Sequence, residues 1–238
     1  MCEVRGVILG LCFVGITLIS HFPHPTSHFS YKFQFMGVIN LVTIKSKREI
    51  ELMREAGRVA CIAQKEIEKA IRPGVSTFEL DKIAENVIRA NGGIPAEKGY
   101  PSGMKGVPDF PGSICASVND EVIHGIPSKN IILKNGDIVS IDLVAYKNGF
   151  NGDCARTYIV GDAPESTKRL VEITRKAFFE GIKFARKGNR LGDICHAIGS
   201  FVENNGYSVV REFQGHGIGA SMHEDPGIPN YRKATEEE

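Results

Sequence analysis

No surplus of charge marks this chain: 29 Lys and Arg stand against 28 Asp and Glu over 238 residues, a net charge of +1. That removes the electrostatic argument for a nucleic-acid partner, which needs a basic excess to displace counterions. The six cysteines, at positions 2, 12, 61, 115, 154 and 195, include no CxxC pair and no dense framework. They read as reduced thiols of a cytosolic protein rather than as staples or a zinc site. The HExxH signature of a single-zinc helix site is absent too. Hydrophobic residues make up 42% and charged residues 24%, which excludes wholesale disorder and collagen-like repeats. The length suits one large domain or two small ones.

Long apolar runs are also missing. The longest, Val7 to Ile19, has 13 residues, short of the about 20 that a membrane span needs. It has the length of a signal-peptide core, but Glu3 sits beside the lone Arg5 and no small-x-small cleavage site comes after it. Pro23 and Pro25 detach it from the body of the chain, which argues against a core element. Three readings are open: a secretory or anchoring segment, a core element, or translated upstream sequence from a misplaced start. The last is favoured, with residues 1–41 an atypical extension and 42–238 the domain. His21, His24 and His28 are read as solvated bystanders in a Pro/Ser stretch.

From Val42 the pattern becomes regular. Ile50, Met53, Ala56, Ala60, Ala63 and Ile67 recur at helical spacing, so a helix is expected over 47–71. Arg72-Pro73-Gly74 ends it. Ser76 followed by Glu79 has the form of a capping box and opens a second helix reaching Ala90. Strands are expected over 113–118, 121–124, 138–146, 152–160 and 207–213, with an Asn148-Gly149 hairpin turn. Further helices are expected over 164–186 and 191–204. Residues 69–93 and 183–207 align without gaps, matching at Lys69/Lys183, Arg72/Arg186, Gly74/Gly188, Asn91/Asn205 and Gly92/Gly206. This weak repeat suggests a pseudo-symmetric α+β domain of two related halves.

Two aspartates stand out. Asp142 interrupts an apolar strand, and Asp153 comes after the hairpin turn; folding the hairpin puts both on one face, opposite or nearly opposite. Carboxylates in contact need a shared proton or a cation, and the pair favours a divalent metal site. For Asp153 alone, capping of turn amides is the plainer explanation. His216 lies among three glycines in Gly215-His-Gly-Ile-Gly219, and an imidazole suits Mn, Fe, Co or Zn. His223 and His124 complete a polar constellation that a core does not otherwise collect.

Asn119-Asp-Glu-Val-Ile-His-Gly-Ile-Pro127, Gly136-Asp-Ile-Val-Ser-Ile-Asp142, Gly149-Phe-Asn-Gly-Asp153, Gly215-His-Gly-Ile-Gly219 and Met222-His-Glu-Asp-Pro226 occur in the order seen in type I methionine aminopeptidases. The chain resembles that family over about 42–231. The resemblance implies the pita-bread fold: an antiparallel sheet covered by helices in two pseudo-symmetric halves. It also implies two divalent metal ions (Co, Mn, Fe or Zn) and hydrolytic removal of the amino-terminal methionine of nascent polypeptides. Asp142, Asp153 and His216 match metal ligands, with Asp153 bridging. His124 matches a residue contacting substrate near the scissile bond, and His223 one that steadies the tetrahedral intermediate. Cys115 and, more loosely, Met222 fall where the family lines its methionine pocket.

Two glutamate ligands lie further downstream in the family than this chain runs, so the expected catalytic domain is incomplete, with its last strands missing and its activity in question. A catalytically silent peptide- or partner-binding protein of the same fold is the alternative, and a prolidase-like enzyme is disfavoured. A cytoplasmic monomer working near the ribosome is expected, with a membrane or secreted location as the minor alternative raised by the apolar head.

Overall fold

The computed structural model describes residues 18–19 and 42–232. The extension expected over 1–41 therefore lies outside the described residues, apart from β1 (Leu18–Ile19). The remaining elements are α1 (Lys47–Ala70), α2 (Thr77–Ala90), β2 (Ile94–Pro95), β3 (Cys115–Val118), β4 (Ile138–Lys147), β5 (Phe150–Ile159), α3 (Glu165–Ile182), α4 (Leu191–Asn204), β6 (Ser208–Val209), β7 (Gly215–Gly217) and β8 (Glu224–Ile228).

Local chemistry accounts for most boundaries. Ser46 and Ser76 each accept from the backbone N–H three residues on, and Glu49 and Glu79 reach back to the cap amides, so α1 and α2 both open on capping boxes. Asn148 and Gly149 both have positive φ, 53° and 90°, as a two-residue hairpin turn between right-twisted strands requires. That turn fixes the register of β4 and β5, which runs from Lys147↔Phe150 to Ile138↔Ile159.

A four-stranded antiparallel sheet results, with β5 on one edge of β4 and with β3 and β2 sharing the other. Side chains alternate across it. Val139, Ile141, Leu143 and Ala145 are fully buried against Ala60, Ala63 and Ile67 of α1 and Leu80, Ala84 and Ile88 of α2. Each fully buried Leu or Ile contributes about 1.5–3 kcal/mol of hydrophobic stabilisation. Gly152 belongs to this face, and any Cβ there would collide with the backbone of Ala56 and Gly57, so α1 sits directly on β5. The other face carries Ser117, Ser140, Asp142, Asp153 and Thr157, and Ser140 and Thr157 hydrogen-bond across the ladder at 2.8 Å.

The second half repeats the first. α4 starts and ends 114 residues after α2, and β6 comes at the same offset from β2. The turn glycines agree as well: Gly74 and Gly188 have φ of 90° and 98°, and Gly92 and Gly206 have φ of 72° and 82°. Ile173 and Ala177 of α3, Ile194, Ile198 and Val202 of α4 and Ile228 of β8 form a separate core.

Three element expectations are corrected. Residues 121–124 are not a strand, because Gly125 O accepts from Ala116 N and folds the segment back on β3. The strand expected over 207–213 shortens to Ser208–Val209, since the polar residues after Val210 leave little apolar surface to bury. The third helix ends at Ile182 rather than Arg186, where Phe184 and Ala185 switch to tighter turns.

Candidate metal and peptidase site

Asp142 and Asp153 are brought together by the β4–β5 register. Asp142 pairs with Ala155 and Asp153 with Val144, so the two are diagonal neighbours on the polar face. The expected placement, opposite or nearly so, resolves to this diagonal. Burial pushes the Asp142 carboxyl above its usual value, while a hydrogen bond with Asp153 and the imidazoles of His124 and His216 pull it back. Its Oδ1 atom is buried without a hydrogen-bond partner. A buried, open carboxylate oxygen beside a second carboxylate suits a hard cation.

His216 arrives on β7, where the register slips between His216 and Gly217. Gly217 has to be glycine, since a Cβ there would stand 2.5 Å from Asp225 O. His216 Nδ1 lies 2.8 Å from Gly217 O. A carbonyl only accepts, so Nδ1 is the donor; in the neutral ring that is the tautomer of a metal ligand oriented by a backbone carbonyl, with Nε2 left to face the metal. Among the described residues, however, no three His, Cys, Asp or Glu side chains converge as a finished metal cage. The donor chemistry fits a divalent cation, and the cage is not preassembled.

The other two histidines flank these groups. His124 has a φ of +59°, a left-handed conformation that is uncommon for a non-glycine residue and clusters at functional sites. Partial burial lowers its pKa, against a pull upward from Asp142. His223 stacks obliquely on His216 with ring centroids 4.3 Å apart. Burial, then the His216 and His124 imidazoles, hold it down at about 4, although the residue as a whole remains exposed. Both rings are therefore neutral near pH 7 and able to donate or accept.

Cys115 is the cross-strand partner of Asp142 and is 5% exposed, with burial raising its thiol pKa. Met222 is half-buried on the turn into β8, next to His223. The sequence reading missed three nearby residues. Tyr100 places its hydroxyl 2.9 Å from His223 Nδ1 and meets the ring edge-on. Asn151 donates from Nδ2 to Gly219 O and Ala220 O, both at 3.1 Å, and ties the start of β5 to the glycine-rich loop. Glu97 is 7% exposed, and burial, then Asp142 and Asp153, push its carboxyl well above the ordinary range. All three lie in segments without periodic patterning; only the excess of polar residues beside Gly/Pro turns hinted at them.

The model of metallopeptidase family M24 matches residues 51–238. The chain belongs to this family. A methionine aminopeptidase of Clostridium acetobutylicum is 48% identical over 191 residues, covering 80% of this chain and 74% of its own length. Methionine aminopeptidase 1 of Bacillus subtilis matches with the same identity and coverage. Among solved structures, methionine aminopeptidase from Thermotoga maritima superposes with a TM-score of 0.77 at 40% identity, covering 81% of this chain and 75% of that one. The pita-bread fold and the methionine aminopeptidase resemblance are thus both borne out. An M24 metallopeptidase works with divalent metal, which agrees with the open carboxylate and the His216 tautomer. Among the described residues, no helix is long and apolar enough to cross a membrane.

Proposed function

We propose that this chain hydrolyses the amino-terminal methionine from polypeptides, with Asp142, Asp153 and His216 holding divalent metal. The observation that carries the reading is the diagonal pairing of Asp142 and Asp153 on adjacent strands, with the His124 and His216 imidazoles near enough to act on the Asp142 carboxyl and His223 stacked on His216. Bound metal supplies Lewis acidity for amide hydrolysis; the family reading gives two ions, drawn from Co, Mn, Fe or Zn.

The chain's own residues supply the rest. A neutral His223 whose Nδ1 accepts from Tyr100 has its Nε2–H free to donate to the oxygen on which negative charge develops. His124, held in its left-handed conformation in the loop after β3, orients the amide on the leaving side. Cys115 and Met222 offer soft, polarisable surface to an unbranched thioether side chain. Nascent polypeptides are the substrates, which places the protein near the ribosome. A reduced thiol set, including Cys61, Cys115, Cys154 and Cys195, supports work in the cytoplasm.

The test is release of free methionine from Met-Ala-Ser by the 238-residue chain, alongside metal analysis. Release that depends on added Mn or Co and stops on chelation is expected. Peptide binding without release, at any metal supplied, would favour the silent binder instead.

A further inference from the structure

Glu97 takes no part in that hydrolysis, yet its placement is costly. Ala96 N donates to Val144 O at 2.9 Å, so the chain tracks the edge of β4 up to Glu97. Lys98 then turns outward to pair with Glu85, whereas Glu97 turns inward, and the Cys115 thiol donates to its Oε1 at 3.7 Å. Its Oε2 is buried without a hydrogen-bond partner. Among the described residues no cation pairs with it. A carboxyl retained only for structure would be closed by a donor, as Asp81 is by the backbone N–H of Ser113 at 2.5 Å. Glu97 is left open, on the side of the site where Cys115 lies opposite Asp142.

We propose that Glu97 is a specificity-determining residue, which selects an unbranched first side chain carrying a polarisable, hydrogen-bonding atom, the thioether sulfur of methionine, over its straight hydrocarbon isostere. This rests on the aminopeptidase reading, which sets the first side chain of the substrate against Cys115. A purely apolar chain in that pocket leaves a buried carboxyl desolvated and unpaired. Burial favours the protonated carboxyl, whose O–H can donate, and a thioether sulfur, a weak acceptor and a polarisable neighbour, then recovers part of that cost. Selectivity of this kind comes from the penalty on the ligand that cannot pair, as in other sites built around a buried polar group.

The test is direct binding of L-methionine and L-norleucine to the Mn-supplemented full chain by calorimetry, which does not need turnover. The native protein should bind methionine roughly fivefold more tightly, the range of one weak hydrogen bond. Glu97→Leu should bring the ratio to about one, while Glu97→Gln, which keeps an N–H donor, should retain most of it. Glu97→Ala removes the carboxyl without filling the space and should behave as Glu97→Leu, so a folding defect in one variant leaves the other decisive. An unchanged ratio in these apolar variants, equal binding by the native protein, or no binding of either amino acid overturns the proposal. Methionine release from Met-Ala-Ser, measured separately, tells whether the aminopeptidase reading falls with it.

Discussion

The site is held from behind by one buried polar side chain, and removing only its polar atoms measures how much. Gln64 of α1 is fully buried. Its Nε2 donates to Ile141 O at 2.9 Å and Cys154 O at 2.8 Å, one residue from Asp142 and one from Asp153. Its Oε1 accepts from the Tyr158 hydroxyl at 2.9 Å. Gln64→Leu keeps the volume and the helix propensity but deletes these bonds. Tyr158 retains a contact to Gln64 O at 3.3 Å, so chiefly the two carbonyl bonds are lost. At about 1 kcal/mol each, the loss is about 2 kcal/mol, since carbonyls in the ladder keep other partners. For a domain of this size that lowers Tm by about 4–8 °C. Thermal unfolding monitored by circular dichroism reads it directly. The same variant should bind metal more weakly, because the strand segments bearing both aspartates lose their common anchor. A melting point within about 1 °C of native, with unchanged metal affinity, would refute the idea that Gln64 fixes the ladder.

Asp142→Asn removes one charge from the carboxylate pair while keeping its shape. The native protein should gain about 2.7 kcal/mol at a hundredfold excess of Mn over Kd, about 5–10 °C in Tm, and the variant less than a third of that; equal shifts in a melting assay would remove Asp142 from the metal site. Acid should weaken the first half through Glu85, whose pKa is lowered to about 2 by Lys98, then Lys82, then Arg89, against the cost of burial. A depressed carboxylate contributes above its unfolded value of 4.5 and loses that contribution as pH falls toward 2. Because Lys82, Lys98 and Arg89 are 43%, 35% and 54% exposed, solvent screening reduces the effect to about 1 kcal/mol. Glu85→Gln should therefore flatten the fall in stability between about pH 4.5 and 2.5, and a variant as acid-sensitive as native would count against the network.

Helices and the central hairpin were legible because their signals are local. A Ser with Glu three residues on satisfies the same orphan amides wherever it occurs, so α1 and α2 begin at the serines that carry the pattern. Asn148-Gly149 likewise admits the backbone signs that a tight hairpin needs. The repeat was weak as identity, five matches in 25 residues, but its matched glycines occupy left-handed positions in both copies. The structural constraint was thus sparser than the alignment and yet stronger. Short strands were less legible. The 121–124 segment looks extended by composition, but its backbone partners are set by Gly125 reaching Ala116, a contact with no local signature.

Within the site, legibility divided along the same line. Asp142 was conspicuous because a carboxylate in an apolar strand contradicts its surroundings, and the hairpin then placed Asp153 beside it. Glu97, Asn151 and Tyr100 contradict nothing locally. Glu97 comes after a Gly/Pro turn in a charged context, and only the tertiary fold shows that Lys98 goes outward while Glu97 goes in. The same distinction bears on what each residue can do. An aspartate committed by strand register is fixed to within the pleat, which suits a cation that demands defined geometry. A glutamate leaving a strand edge has a longer side chain with one more rotatable bond and, among the described residues, a hydrogen bond from a thiol alone, which suits a pocket wall that meets the end of a flexible side chain. Metal ligation by the register-fixed residues and selectivity by the edge residue are therefore separable, and substitutions at Asp142 should move metal affinity at sites where substitutions at Glu97 move only the preference between methionine and norleucine.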